Sequence, residues 1–149
     1  MRLIAVGGDD ARLIACQRAY FAEISERFGV AFDPKAGESE DISNARQWHV
    51  LALADGGEPI GCGSLRDLGD KVGEIKRVWV SRQARGRGIA GRLMDRLENV
   101  AKEAGFSALR LDTHGSLSEA RAMYLKRGYR EIARYNDNPY AQHWFEKAL

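Results

Sequence analysis

The chain has 149 residues, 44% of them apolar and 30% charged, with a formal net charge of +2; that length suits one domain with its own core, and the balance excludes disordered and fibrous classes. No run of eighteen apolar residues could span a membrane, and the apolar start of MRLIAVGGDDARL is too short for a secretory signal. Two distant cysteines, Cys16 and Cys62, suit reduced core thiols better than a disulfide framework, so the chain reads as cytoplasmic.

In chain order, residues 2–6 read as a strand and Gly7-Gly8-Asp9-Asp10 as the turn into a helix. Leu13, Cys16, Tyr20, Ile24 and Phe28 recur along it at three or four residues, and Gly29 ends it. Residues 30–43 form an acidic, loop-like stretch with room for a short helix up to residue 47. Segments 48–54, 60–65 and 73–80 read as three strands, the first two joined at Asp55-Gly56-Gly57. Ile89, Leu93, Leu97, Ala101 and Ala104 mark a helix that stops at Gly105. A strand over 107–112 follows, and then a helix opened by the capping box Ser116-Leu117-Ser118-Glu119 and closed by Gly128. Strands at 129–135 and 142–147, joined through Asn136-Asp137-Asn138-Pro139, complete the chain. This order predicts an α/β (α+β) fold: a mixed, mostly antiparallel sheet of about seven strands flanked by about four helices, in a single domain.

Charge is unevenly spread. Residues 71–102 carry nine Lys/Arg against three acids, or +6, which leaves −4 for the remainder. At the centre of that basic segment stands QARGRGIAGRL, residues 83–93, placed at the entrance of a helix. Such local charge suits an anionic ligand better than a nucleic-acid footprint.

Three readings compete for this stretch. A P-loop needs Lys and Ser/Thr after its last glycine, and Arg92 and Leu93 stand there. A dinucleotide fingerprint fits Gly86, Gly88 and Gly91, with Asp112 as the ribose acid. However, residues 81–85 separate the glycines from the strand, and too little chain follows for further βα units. The third reading is a pyrophosphate site on a nucleotide cofactor such as coenzyme A. Glycines let backbone N–H groups approach an anion, the helix dipole attracts it, and Arg85 and Arg87 can pair with its oxygens.

Gln83-x-x-Gly86-x-Gly88, preceded by the strand EIKRVWV, resembles the acetyl-CoA signature of the GNAT superfamily of N-acetyltransferases. The run 120–129, ARAMYLKRGY, is similar to that family's A-x-x-L-Y-x-K-x-G-F segment. The resemblance covers most of the chain, with two departures: Leu117 stands where the family often has Asn, and Arg82 where it often has Pro. It implies that Val78, Trp79, Val80, Gln83, Arg85, Gly86, Arg87, Gly88, Ile89, Ala90 and Lys126 hold acetyl-CoA as co-substrate.

Acetyl transfer to an amine needs a neutral nitrogen, a stabilised oxyanion and a proton for the departing thiolate. Glu74, by its place in the central strand and by the resemblance, is the candidate base; Tyr124 is the candidate acid, and a backbone N–H near Val80, left unpaired by a bulge that the resemblance implies there, the oxyanion donor. His49, His114 and His143 lack metal-site spacing, so no metal is expected, though His143 beside Trp144 could border an acceptor pocket. Acceptor choice falls to loops 30–42 and 136–141, where Glu38, Glu40 and Asp41 could attract a cation. The expected activity is direct acetyl transfer, in a ternary complex, to a small-molecule amine or an exposed amino group of a peptide. No nucleic acid or membrane partner is expected, and monomer or homodimer is left open. The alternatives are a non-catalytic acyl-CoA-binding module and, fitting less well, a nicotinamide-dinucleotide enzyme.

Overall fold

The computed structural model describes residues 1–114 and 118–149. Among these residues, seven strands form one sheet in the order β1-β2-β3-β4-β5-β7-β6. Their bounds are β1 Arg2–Val6, β2 Gln47–Leu53, β3 Pro59–Asp67, β4 Val72–Val80, β5 Ala108–Thr113, β6 Arg130–Ile132 and β7 His143–Ala148. Three helices of nine residues or more accompany them: α1 Ala11–Phe28, α3 Ile89–Glu103 and α4 Ser118–Lys126, with the single turn α2 at Glu40–Ser43. Only β4 and β5 pair in parallel among the described residues; every other neighbouring pair is antiparallel. A wound dinucleotide-binding sheet is parallel, so this topology removes that reading.

Alternation sorts the core into two layers. On β2, Leu51 and Leu53 pack with Cys62 under Leu13 and Cys16 of α1. Val50 and Ala52 face the other way, with Leu65, Leu109 and Leu111, against Leu93, Met94, Leu97 and Ala101 of α3. The Asp10 side chain caps α1 by accepting from the Arg12 N–H at 2.9 Å, and Gly29 closes it at φ 69°. Buried Glu98 of α3 holds Lys147 at 2.8 Å and Arg127 at 3.0 Å, tying α3 to β7 and to the end of α4. The predicted capping box at Ser116 and Leu117 lies outside the described residues.

Two departures from the expected strands shape the site. The strand expected over 129–135 is only Arg130–Ile132. Tyr135 and Asn136 leave the sheet because their polar groups bond carboxylates: Tyr135 donates to Glu74 at 2.6 Å, and Asn136 to Asp112 at 2.6 Å. In addition, β4 carries a bulge. Cys62 faces Trp79 and Ser64 faces Lys76, so Arg77 and Val78 together oppose Gly63, and Arg77 sits at φ +58°.

β4 and β5 pair only from Val72↔Ala108 to Glu74↔Arg110. Past Glu74, β4 runs six residues further and β5 three, and the two part into a fork. The core against α3 must hold β4 in place beyond that point. Leu97→Ala, at a fully buried α3 position, is therefore expected to lower stability by about 2–5 kcal/mol through a core cavity. Urea unfolding monitored by circular dichroism checks this.

Candidate active site

A cavity of about 680 Å³ fills the fork on the α1 side of the sheet. Tyr20 and Phe21 of α1, Glu74 to Val80 of β4, Asp112 of β5 and Tyr124 of α4 line it. The acceptor loops expected at 30–42 and 136–141 meet over it. Tyr140 stacks on Phe28 at 5.7 Å and lies 4.6 Å from Phe32, while its hydroxyl accepts from the Asp33 N–H at 2.9 Å. Gly37 makes this closure possible, since a Cβ there would fall 2.0 Å from the Asp137 carbonyl oxygen. His114 also borders the cavity, with its ring 4.2 Å from Phe28.

Glu74 is no exposed strand-end carboxylate: it is 1% exposed, at the fork itself. Arg66 donates to it at 2.7 and 3.2 Å, Tyr135 at 2.6 Å and Asn136 at 3.4 Å, with Lys76 at 3.7 Å. With both oxygens surrounded by donors, this carboxylate ties together the elements around the site. Arg66 also pairs with Glu38 at 2.8 Å, which anchors the acidic loop to the cavity floor.

Asp112, weighed from the sequence only as a ribose acid, lines the same cavity. Asn136 and Asn138 donate to its two oxygens at 2.6 and 3.1 Å, and no cation pairs with it among the described residues. Burial pushes its carboxyl above the usual range; Lys76 pulls it back and the negative charge of Glu74 pushes it further up. A carboxyl of raised pKa in a cavity is suited to proton transfer.

Tyr124 reaches the fork from the opposite, α3 side, packed against Tyr129 and Phe145. Its ring is buried, and its hydroxyl has no hydrogen bond to a described residue. Burial, with Asp112 nearby, raises the phenol to about 12. Val80 supplies a second polar group. Ser81 donates to Ile60 of β3 at 2.8 Å, so alternation turns the Val80 N–H away from β3, toward the side that β5 has left.

The glycine stretch opens α3 as expected. Gly88 is its N-cap at φ 74°, without a side-chain cap, and Gly86 sits at φ 79°. Open space surrounds both, while Gly91 is an ordinary helical position. Gln83 and Arg87 are exposed beside this entrance, Arg87 reaching the Gln83 carbonyl at 3.3 Å; Ile89 is buried beneath it. Val78, Trp79, Val80, Arg85 and Ala90 line the cavity wall. Arg85, expected free for phosphate, is instead drawn inward to Glu23 at 2.7 Å and to the Val80 carbonyl at 2.9 Å, because partners for its guanidinium lie there. Lys126 stands exposed at the end of α4, away from the cavity wall. His143 bonds Glu131 at 2.8 Å on an exposed edge, so the acceptor pocket does not form around it.

The sequence reading missed Arg66, Arg77 and Tyr135 as cavity residues, while Asn136 stands in a loop expected to select the acceptor. Spacing gave no signal for Arg77, whose direction depends on the bulge. Polar Tyr135-Asn136 at the end of a supposed strand was the one visible clue.

The sequence profile of the Acetyltransferase (GNAT) family matches residues 17–129. An Azospirillum brasilense protein named IAA acetyltransferase is 40% identical over 80 residues, covering 53% of this chain and 52% of that protein. An uncharacterized N-acetyltransferase of Bacillus subtilis is 30% identical over 100 residues, 67% of each. The chain thus spans about half to two thirds of the length of these relatives. Among solved structures, a GNAT-family acetyltransferase from Staphylococcus aureus superposes with a TM-score of 0.81 over 99% of both chains at 17% identity. The PaiA N-acetyltransferase of Thermoplasma acidophilum, solved with coenzyme A, gives 0.73 over 100% of both at 16%. Profile, relatives and fold agree, and this chain belongs to the GNAT family of acetyltransferases.

Proposed function

We propose that this chain, as a single domain in the cytoplasm, transfers acetyl from acetyl-CoA directly to a primary amine in a ternary complex. The amine belongs to a small molecule or to an exposed amino group of a peptide. The fork between β4 and β5 carries this reading: it brings a backbone N–H, a phenol and a cavity carboxylate together beside an open, glycine-lined helix entrance.

The residues present suit the co-substrate. Gly86 and Gly88 leave room at the α3 entrance, and the first N–H groups of α3, from Ile89 and Ala90 on, carry no side-chain cap. These groups, with Arg87 and Gln83, would hold the phosphates, and Val78 to Val80 would hold the arm along the fork. When bound, acetyl-CoA supplies an acetyl thioester and leaves as the thiol.

The Val80 N–H is placed to receive charge that develops on a carbonyl oxygen in the fork. Asp112, in place of Glu74, takes the first proton from the substrate ammonium and passes it to solvent. The Tyr124 hydroxyl gives its proton to the departing sulfur and recovers one from the nitrogen as the amide forms. One ammonium and one thioester thereby give amide, thiol and one released proton. Glu74 holds Arg66, Tyr135 and Asn136 in position around these groups.

Tyr124→Phe is expected to lower kcat by roughly 10²-fold with acetyl-CoA affinity unchanged, as for a lost general acid. Because the phenol lies near 12, it keeps its proton across neutral and mildly alkaline pH, so the wild type should show no loss of rate from Tyr124 there. Unchanged turnover would assign Tyr124 to packing; absence of thiol release in both forms would mark a binding module.

The raised Asp112 carboxyl stays protonated to higher pH than an ordinary carboxylate. Activity through this base should therefore rise with pH across a midpoint above the usual range. Asp112→Asn should lower kcat/KM by roughly 10²-fold and remove that limb, as a pH series of initial rates would show. Gly88→Asp, which places a carboxylate at the uncapped helix entrance, should weaken acetyl-CoA binding at least tenfold by calorimetry, on the order of 1.4 kcal/mol or more.

A further inference from the structure

The cations lining the cavity are almost all spoken for. Arg66 pairs with Glu38 and Glu74 at 2.8 and 2.7 Å, and Lys76 approaches the same two at 3.9 and 3.7 Å. Arg85 and Arg27 pair with Glu23 at 2.7 and 3.4 Å, and Arg110 with Glu146 at 2.8 Å. Arg77 alone among the cavity arginines has neither an ion pair nor a side-chain hydrogen bond to any described residue.

Arg77 is not a solvated surface arginine. It is half-buried, and its guanidinium lies 5.2 Å from the centre of the Phe21 ring on α1. Stacking of that kind uses one face of the guanidinium and leaves its N–H edge free. The β4 bulge puts it there: Arg77 follows Lys76 onto the α1 side of the sheet at φ +58°. Burial lowers its hold on its proton even though Glu38 attracts the guanidinium, which leaves room for a further anion. Keeping such a group at a strained backbone position is costly unless an anion arrives to meet it.

Asp112 is the complementary case, a cavity carboxylate held by two amides and paired with no cation among the described residues. Both line the same cavity, as does Tyr20 of α1. A simple cation would satisfy Asp112 and be repelled by Arg77. A molecule bearing both charges satisfies both.

Building on the acetyltransferase reading above, we propose that the acceptor is an amine that also carries an oxyanion, a carboxylate or a phosphate, with Arg77 receiving the oxyanion and Asp112 facing the amino group. The oxyanion then fixes the amine beside Tyr124 and Val80, so the positive arginine selects for acceptor charge while remaining outside the bond-making step.

Paired amines test this, with release of coenzyme A thiol as the readout: amino acids against their carboxamides, aminoalkyl phosphates against the matching amino alcohols, and a diamine. At least one anionic member should exceed its neutral partner by about tenfold or more in kcat/KM, and the pair that does so names the oxyanion. Arg77→Gln should erase that preference, the loss falling on KM more than on kcat, and Arg77→Lys should keep part of it. Arg77→Gln breaks no ion pair or side-chain hydrogen bond to a described residue and removes only the stacking on Phe21 and a weaker attraction to Glu38, so its melting temperature should change little; a marked fall would assign Arg77 to structure and overturn the proposal. Preference for the diamine or the neutral partners, or an anion preference that survives Arg77→Gln, would also overturn it while leaving acetyl transfer standing. No thiol release with any amine from folded wild-type protein would instead remove the acetyltransferase reading itself.

Discussion

Past Glu74, β4 and β5 no longer bond to each other, and each strand's inner edge is left with backbone groups that no strand answers. Such groups are expensive to bury and cheap to offer to a ligand. The protein fills part of the edge itself, since Arg85 donates to the Val80 carbonyl at 2.9 Å. The N–H of that residue is left toward the fork. Everything else around the cavity is arranged on this opening: α3 begins where β4 ends, α4 brings Tyr124 up from one face, and α1 with two loops closes the other.

Keeping the fork open requires a firm hinge, and the buried cluster at Glu74 provides it. Arg66, Glu74, Glu38, Tyr135 and Asn136 join β3, β4, the acidic loop and the segment after β6 in one network. A buried pair of this kind gains little over apolar packing, yet removing one member leaves a charge stranded at a cost of about 3–5 kcal/mol. Its usefulness is geometric. It ties both acceptor loops to the strand that lies against the cofactor arm in the proposed complex, so acceptor and cofactor positions are set by the same carboxylate.

Much of this was legible from the residues. Periodicity located α1 and α3, and the Asp55-Gly56-Gly57 turn located the β2–β3 hairpin. The glycine stretch named its own place at a helix entrance, because two left-handed residues and an uncapped first turn leave few other solutions. Side-chain partnerships were not legible, because they join residues far apart in sequence. Tyr135 bonds a carboxylate 61 positions away, and that bond is what cuts β6 short. A bulge near Val80 was expected from the family resemblance, and the structure puts it slightly earlier, at Arg77 and Val78; alternation alone could not place it, because a bulge is a local breach of that rule. The place of Glu74 at the fork followed from its place in the strand, while the donors around it could not be read from the sequence.

The breach itself links the two halves of the proposed site. Holding a non-glycine residue left-handed at Arg77 costs about 1–2 kcal/mol. In return the extra residue sets two directions at once. It brings Lys76 and Arg77 to the α1 side, where the acceptor cavity lies, and it fixes the phase of Val78 to Val80, so that the Val80 N–H faces the fork. A regular strand could supply one of these and would reverse the other, because a one-residue slip turns every later side chain to the opposite face. On this view the strain at Arg77 is retained because a single irregularity orients both the anion-seeking side chain and the backbone donor, on opposite sides of the bond to be made.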